Sequence, residues 1–303
     1  MRDLSQDKVW SFSADGKSGN FQKCQFRKTR GVKVHNYADL VGKVAAIQFQ
    51  NSNYVLLFRG QNKDYRIDKS TKKNSTIRPS LFRRDEGHGV DHWNQIVSRR
   101  YKKLIAAENK LIQEWRNQGF MFLSKLERSA VIRWSILQHY EVCDTPLLDV
   151  THSLRIAASF ASLENPSGND AQAVANDSMV NEAFIMVLAA PQISGGVTTC
   201  SYDSMQTLRL SSLCPPTAIR AHLQEGYLLG EYPELQSFDQ KMNYDLPETD
   251  FGKRLIAKFR FNPASFWKEE EDFSRIPKKA LYPNESDELY AICKSIKTQL
   301  KRN

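Results

Sequence analysis

The chain has 303 residues and a formal net charge of +9. Apolar residues make up 41% of it and aromatic residues 11%, which excludes a wholly disordered chain and allows one large domain or two average ones. No apolar run reaches about 18 residues, so we expect no membrane-spanning helix. The first residues are polar and lack the apolar centre of a secretory signal.

The five cysteines are odd in number and lack the paired spacing of a metal site, a pattern typical of reduced thiols. We therefore expect a soluble, cytoplasmic protein that holds no metal. The basic residues are spread along the chain, which is typical of a solvated surface. The alternative is a preference for an anionic substrate such as a dinucleotide or RNA.

The first predicted elements surround one apolar run. Residues 1–35 are polar and basic, and we expect them to form an N-terminal arm or an edge strand. A short helix is predicted over residues 36–44, with Asn36 as its N-cap. The run at residues 54–61 predicts a buried strand that ends in an arginine, a glycine and a glutamine.

Two longer helices are predicted next. Apolar residues recur at spacings of three and four over residues 91–119 and again over residues 123–140, which indicates two amphipathic helices. Residues 145–151 predict a short buried strand, and residues 153–162 predict a helix of small residues packed close to it. Residues 164–181 are rich in Asn, Asp, Ser and Ala, which indicates a solvated insertion.

The remainder of the chain predicts a sheet and a closing helix. The run at residues 183–189 has the continuous apolar pattern of a central strand. Further elements are strands at residues 208–212, 226–230 and 255–261, and a helix at residues 285–300. We therefore predict an α+β fold, a single domain over residues 36–303 with a central mixed β-sheet flanked by helices.

Three ordered segments resemble the FRG domain, a family named for its Phe-Arg-Gly motif. They are Phe58-Arg59-Gly60-Gln61, then Pro79-Ser80-Leu81-Phe82-Arg83, and the run from Leu137-Gln138-His139-Tyr140 through Leu148-Asp149 to Ala161. The chain departs from the family where residues 141–144 replace a Gly-x-Pro-Thr turn and look one residue longer. The geometry of that turn is therefore not carried over.

The order of elements in this family is similar to that of ADP-ribosyltransferases, which is a more distant resemblance. It implies an ADP-ribosyltransferase-like fold, NAD+ as co-substrate and no metal. It also implies an effector of the toxin or defence type that acts on a protein or nucleic-acid target, with an antitoxin or immunity partner. The alternative is a non-catalytic module that binds a nucleotide or nucleic acid. A further possibility is that the polar segments only brace the fold.

Arg59, Gly60, Arg83, Asp149 and Thr151 are the candidate cofactor-binding residues. A guanidinium at the end of a buried strand needs an anionic partner, and for Arg59 this is either a ligand phosphate or Asp149. Arg83 is either a second phosphate contact or part of a solvated turn. Asp149 and Thr151 are two apart, so they share one side of a strand, which faces either a cleft or the core.

For catalysis we name His139, Gln224 and Glu225. His139 either bonds a ribose hydroxyl or transfers a proton, or it ties a helix end to the next loop. Glu225 is the better carboxylate for a cation-like sugar, whereas Gln224 matches the family better. Neighbouring strand residues point to opposite faces, so only one can serve, and we expect Gln224 to line the cleft. Glu231 is the alternative.

Overall fold

The structure is a computed structural model that describes residues 8–69, 72–83, 90–168, 174–201, 204–242, 249–268 and 273–302. Within those ranges, every helix is too short or too polar to span a lipid bilayer. The strands are β1 (Lys8–Phe12), β2 (Ser18–Gln22), β3 (Val32–Lys33), β4 (Val55–Gln61), β5 (Arg66–Lys69), β6 (Lys72–Ser75), β7 (Leu148–Thr151), β8 (Ala183–Ala190), β9 (Val197–Cys200), β10 (Met205–Arg209), β11 (Gly226–Glu231) and β12 (Leu255–Phe261).

The helices are α1 (Lys23–Lys28), α2 (Tyr37–Gln50), α3 (Val90–Asn117), α4 (Leu123–Arg128), α5 (Ala130–His139), α6 (Leu154–Ser162), α7 (Leu210–Leu213), α8 (Ile219–Leu223), α9 (Phe238–Met242), α10 (Pro263–Phe266), α11 (Lys278–Leu281) and α12 (Glu288–Arg302). Packing divides the chain into two compact units. The first contains Met1–Ile77, Val150–Ser194 and Phe251–Tyr282, and the second contains Arg78–Asp149, Gly195–Asp250 and Pro283–Asn303.

The first unit is built on a mixed sheet in the strand order β3-β12-β8-β4-β7. β3 runs parallel to β12, whereas β8 is antiparallel to both β12 and β4. All eight residues of β8 are buried, which confirms the predicted central strand. Helix α6 packs on β4 and β8, and α1 packs on β12. The predicted α+β class, with a mixed sheet flanked by helices, is confirmed.

The second unit combines the antiparallel strands β9, β10 and β11 with helices α3, α4, α5 and α12. Its apolar core draws on all of these helices and includes Leu104, Leu126, Trp134 and Ile296, each at most 2% exposed. These residues come from the periodic patterns of the sequence, because burying the apolar stripe of each helix is what stabilises it.

Helix ends follow local chemistry. The Oδ1 atom of Asn36 accepts a hydrogen bond from the amide of Asp39 at 2.9 Å, which confirms the predicted N-cap of α2. Gly119 follows the end of α3 with a φ of +66°, a conformation that glycine adopts at little cost.

Two predicted elements are wrong in detail. The single helix predicted over residues 123–140 is two helices, because Ser129 between α4 and α5 has extended backbone angles. The strand predicted at residues 208–212 begins earlier, at Met205, and gives way to helix α7 at Leu210. In both cases a run of apolar residues carries no signal for the point at which its backbone changes direction.

The predicted domain boundaries stay predictions. Of the residues assigned to an N-terminal arm, residues 8–33 form β1, β2, α1 and β3, and residues 1–7 lie outside the described ranges. Residues 169–173 of the predicted insertion also lie outside them. The insertion's described part is tied to the first unit, since Lys278 donates to the carbonyl of Asn165 at 2.6 Å and Arg275 donates to Asp177 at 2.8 Å.

Candidate ligand-binding cleft

The glycine of the Phe-Arg-Gly segment allows helix α6 to lie directly against strand β4. A Cβ atom at Gly60 would come within 1.9 Å of the carbonyl oxygen of Ala157 and 2.8 Å of the amide nitrogen of Ala161. Both atoms belong to the helix backbone, so they cannot rotate away. Gly60 therefore has a packing role that the sequence alone did not reveal, and its predicted role in cofactor binding stays a prediction.

Arg59 and Thr151 lie on neighbouring strands of the first unit. Arg59 is half-buried, and strand alternation directs its side chain away from the face that Gly60 presents to α6. Thr151 is buried, and its hydroxyl accepts a hydrogen bond from the amide of Ser153 at 3.1 Å. Ser153 in turn caps α6 by accepting from the amide of Ile156 at 3.5 Å. The two hydroxyls thus shape the turn into α6, and their predicted ligand contacts stay predictions.

An open cleft of about 580 Å³ lies where β4 ends and β8 begins. Gln61, the last residue of β4, pairs with Phe184 near the start of β8, so the segments beyond these strand ends meet at one edge of the sheet. We call this space the β4 cleft. It is lined by four basic residues, two carboxylates, an amide and an aromatic ring: Lys28, Arg30, Lys63, Arg66, Asp64, Glu182, Asn62 and Phe184.

Asp64 has two carboxylate oxygens in different surroundings. Its Oδ2 atom accepts from Arg66 Nε at 2.8 Å and from Lys258 Nζ at 2.9 Å. Lys258 is fully buried and also donates to Ser75 Oγ at 2.8 Å, while Arg66 also donates to the carbonyl of Thr29. Burial lowers the pKa of Lys258, and the nearby Asp64 opposes that shift.

The other oxygen of Asp64, Oδ1, is buried and has no hydrogen-bond partner among the described residues. The whole side chain is only 8% exposed, and its position is held by the contacts to Oδ2. A buried carboxylate oxygen without a donor is unfavourable, so a hydroxyl group or water that reached this atom would be bound favourably.

The remaining charges of the β4 cleft divide into paired and unpaired groups. Glu182 binds Arg30 at 3.0 Å and Arg260 at 3.3 Å. Lys28 and Lys63 are exposed, and neither side chain forms an ion pair within the part of the chain that the structure describes. The cleft therefore presents two uncompensated ammonium groups near one carboxylate oxygen that lacks a donor. Such a set suits a ligand that carries both negative charge and hydroxyl groups.

His139 is enclosed within the second unit. It is 3% exposed, and its Nε2 atom has no hydrogen-bond partner among the described residues. Burial, and then the positive charge of Arg220, lower the pKa of His139 well below its usual value. The imidazole is therefore neutral at pH 7. Its position at the end of α5 agrees with a bracing role, and the predicted catalytic role stays a prediction.

Polar residues of two family segments are hydrogen-bonded to one another in the second unit. Gln138 donates to Asp149 Oδ2 at 2.5 Å and accepts from Thr145 Oγ1 at 2.6 Å. The amide of Thr145 donates to Ser80 Oγ at 3.2 Å. Sequence reasoning missed Gln138 and Ser80 in this role, although both lie within the quoted segments. The hypothesis of a bridge between Arg59 and Asp149 stays a prediction.

Three other predicted residues lie at turns of the second unit. Arg83 is exposed and donates to the carbonyl of Arg78 at 3.1 Å. Gln224 is buried at the end of α8, whereas Glu225 is exposed and has a φ of +42°. These two residues precede β11, so strand alternation does not govern which way they point. Their catalytic roles stay predictions.

Glu231, the alternative carboxylate, ends β11. It borders a cavity of only about 10 Å³ together with Gln206, Glu234 and apolar side chains. A space of this size holds at most a single water molecule. Within the described ranges, no three His, Cys, Asp or Glu side chains come together in an arrangement that could hold a metal ion.

Comparison with known proteins agrees with part of the sequence interpretation. Residues 54–170 match the model of one protein family, described as FRG domain. The match covers less than half of the chain and includes all three segments quoted above. No curated protein and no solved structure matches the chain. The more distant resemblance to ADP-ribosyltransferases is not confirmed by these comparisons. They support an FRG domain over residues 54–170.

Proposed function

We propose that this FRG-domain protein binds a phosphorylated ligand of the nucleotide class in the β4 cleft. The observation that carries the proposal is the combination of Lys28 and Lys63, which lack ion-pair partners among the described residues, with the buried Oδ1 atom of Asp64. The cleft volume of about 580 Å³ falls in the range of small-molecule and cofactor sites.

Each group in this set matches one part of a nucleotide. Ammonium groups bind phosphate oxygens through charge-assisted hydrogen bonds. A carboxylate oxygen accepts from a ribose hydroxyl, as acidic residues do in many nucleotide sites. Because Arg66 and Lys258 fix the other oxygen of Asp64, that acceptor is already oriented before a ligand arrives. NAD+ carries two phosphates and two riboses, so it is the first ligand to test.

The proposal is tested by titrating NAD+, ADP-ribose, ATP and inorganic phosphate while heat release or melting temperature is measured. A ligand that binds the folded state raises the melting temperature as its concentration exceeds its Kd. The variant Lys28→Gln/Lys63→Gln should weaken binding by about tenfold or more, since each charge-assisted contact contributes about 1.5–3 kcal/mol.

Lys33→Gln/Lys279→Gln is the matched control. It removes the same charge from two exposed lysines of the first unit that do not line the cleft. Equal affinity of the two double variants would show that binding follows overall charge and would refute this location. Affinity for ATP above that for its 2′,3′-dideoxy analogue would support the hydroxyl contact to Asp64.

The second candidate function is transfer of ADP-ribose from NAD+ to a macromolecule, as an effector of the toxin or defence type. The presence of carboxylates beside the unpaired lysines of the β4 cleft favours it, because the reaction needs negative charge near a cation-like ribose. In that reaction the bond from ribose to nicotinamide breaks, the target's nucleophile bonds the ribose, and nicotinamide and a proton are released.

Free nicotinamide is the measurement that separates the two candidates. Release of nicotinamide that depends on the protein, and that is lost when Asp64 or Glu182 of the β4 cleft is substituted, would support transfer at this site. If NAD+ binds but no nicotinamide is released in the presence of protein and nucleic-acid targets, the protein is a binding module and not a transferase. The same proposal includes a protein partner that neutralises the effector. It is tested by measuring whether co-expression of a candidate partner restores growth of a host that expresses this protein.

A further inference from the structure

Two helices of the second unit carry most of the net charge of this protein. Helices α3 and α12 together contain ten Lys and Arg residues and four Asp and Glu residues, a net charge of +6 out of +9 for the whole chain. They make up 43 of the 303 residues. These helices hold only ten of the 43 Lys and Arg residues of the chain, so it is the surplus of positive over negative charge that is concentrated in them.

The two helices pack against each other, and Lys103 on α3 lies close enough to Lys297 on α12 for their charges to interact. Lys110 on α3 donates to Gln299 on α12 at 2.9 Å, and apolar residues of both helices enter the same core. On α12, lysines recur at spacings of three and four, which places them on one face of the helix. We call this surface the α3–α12 face. Its lysines are Lys103, Lys294, Lys297 and Lys301. Lys110 meets α12 on its other side, because Gln299 lies about 200° around the helix from Lys297.

Like charges approach one another on this face. Burial lowers the pKa of Lys297, and the neighbouring Lys301 and Lys103 lower it further, against the opposing effect of Glu141. The carboxylate of Glu141 binds Arg220 at 2.9 Å, and that of Asp144 binds Arg100 at 3.2 Å. These two carboxylates are thus held by arginines.

The charges of three lysines on this face are not compensated by any carboxylate that the structure describes. Lys103, Lys294 and Lys301 are exposed, and none of them forms an ion pair within the described ranges. The apolar residues of both helices mostly point inward: Leu104, Leu111, Leu289 and Ile296 are at most 1% exposed, and Ile105 is an exposed exception. Helices that insert into a bilayer surface need an apolar stripe, so this pattern favours a polyanion over a membrane.

We propose that the α3–α12 face binds the phosphate backbone of a nucleic acid independently of its sequence. Lysine is a strongly hydrated point charge, suited to phosphates and less suited to reading base edges. Rigid helices hold the charges in place, so their repulsion is relieved when phosphates arrive and counterions are released. This surface is separate from the β4 cleft, which lies in the first unit, and binding to it does not require the function proposed there.

The test is fluorescence anisotropy of a labelled 20-base-pair DNA, its RNA counterpart and a single-stranded RNA over a range of salt concentrations. The variant is Lys103→Gln/Lys294→Gln/Lys301→Gln, which spares the two lysines that make internal hydrogen bonds, Lys110 and Lys297. We expect at least about tenfold weaker binding, and a slope of log K against log salt that falls by about 3, since each phosphate contact contributes about 0.9.

The control variant Lys33→Gln/Lys268→Gln/Lys279→Gln removes the same charge from exposed positions of the first unit. It should keep the wild-type slope. Equal losses in both triple variants, or wild-type protein that binds none of the three nucleic acids, would overturn the proposal. Binding to vesicles containing phosphatidylserine but to no nucleic acid would assign the face to membranes. Both variants should retain the wild-type melting temperature and NAD+ response, which keeps this test independent of the β4 cleft.

Discussion

Lys258 donates a hydrogen bond to Asp64 over 2.9 Å while its side chain is completely buried. The lysine lies in the middle of β12, and the aspartate lies beyond the end of β4, 194 residues away in sequence. This pair fixes the carboxylate at the wall of the β4 cleft. It links the stability of the first unit to the geometry of its candidate site.

Breaking this pair should be costly. We expect Lys258→Ala to lower the free energy of unfolding by about 3–5 kcal/mol, because the buried Asp64 would keep only Arg66 as a cationic partner, Ser75 would lose its donor and the space of the lysine side chain would become a cavity. The double variant Asp64→Asn/Lys258→Ala should be more stable than Lys258→Ala, since no uncompensated buried charge then remains at position 64. Urea titrations of the four members of this cycle measure the coupling. Additive effects of the two substitutions would contradict an interaction.

A methyl group at Gly60 should destabilise the fold. The added carbon would overlap the backbone of α6, so Gly60→Ala should cost about 2 kcal/mol or more, by displacing the helix from the sheet. Gly42→Ala is the matched control, because no atom lies within 4 Å of the added carbon and the residue is inside α2. That substitution should stabilise by about 0.5–1 kcal/mol. Urea midpoints that move in the same direction for both would be inconsistent with the packing described.

His139 should make stability depend on pH. Its pKa in the folded state is lowered, mainly by burial, so the unfolded chain takes up the proton first as pH falls. The free energy of unfolding should therefore be insensitive to this group above about pH 7 and should decrease below about pH 6.5, by at most about 1.4 kcal/mol per pH unit. Denaturant titrations between pH 7.5 and 5.5 measure this slope.

The variant His139→Gln should lose this pH dependence. The comparison is between slopes of the free energy of unfolding against pH, so it holds even if the variant is less stable than the wild type. His35→Asn, at an exposed position, should keep the wild-type slope. A slope that survives in His139→Gln would mean that another group is responsible.

The cysteines should react in two classes. Cys24 is exposed, whereas Cys214 and Cys293 are buried. Burial is the main cause that raises the pKa of Cys214 to about 12, and it also raises the pKa of Cys293. We expect a thiol reagent to modify Cys24 within minutes in the native protein and to reach the two buried thiols only in denaturant. If the fast phase of modification is absent in Cys24→Ser, that phase belongs to Cys24. Fast modification of Cys214 or Cys293 in the native protein would contradict their burial in the core of the second unit.

Elements with strong periodicity were predictable. The central strand β8, the strand β12 and the amphipathic helix α3 agree with their predictions, because each contains enough apolar residues in one pattern to specify its backbone. The family segments were also recognisable, as the match over residues 54–170 shows. A lysine in the middle of the apolar strand β12 was a visible signal of a buried ion pair, although the sequence did not reveal its partner.

The sequence alone determined the α+β class, the main helices and strands, and the location of the FRG segments, since these depend on local patterns of apolar residues and short motifs. Only the tertiary structure decided which charges meet. Asp64 is anchored by Lys258, His139 is enclosed in a core, and Lys103 of α3 approaches Lys297 of α12. Electrostatic energy and desolvation depend on distance and burial in space, and neither can be read from separation along the chain.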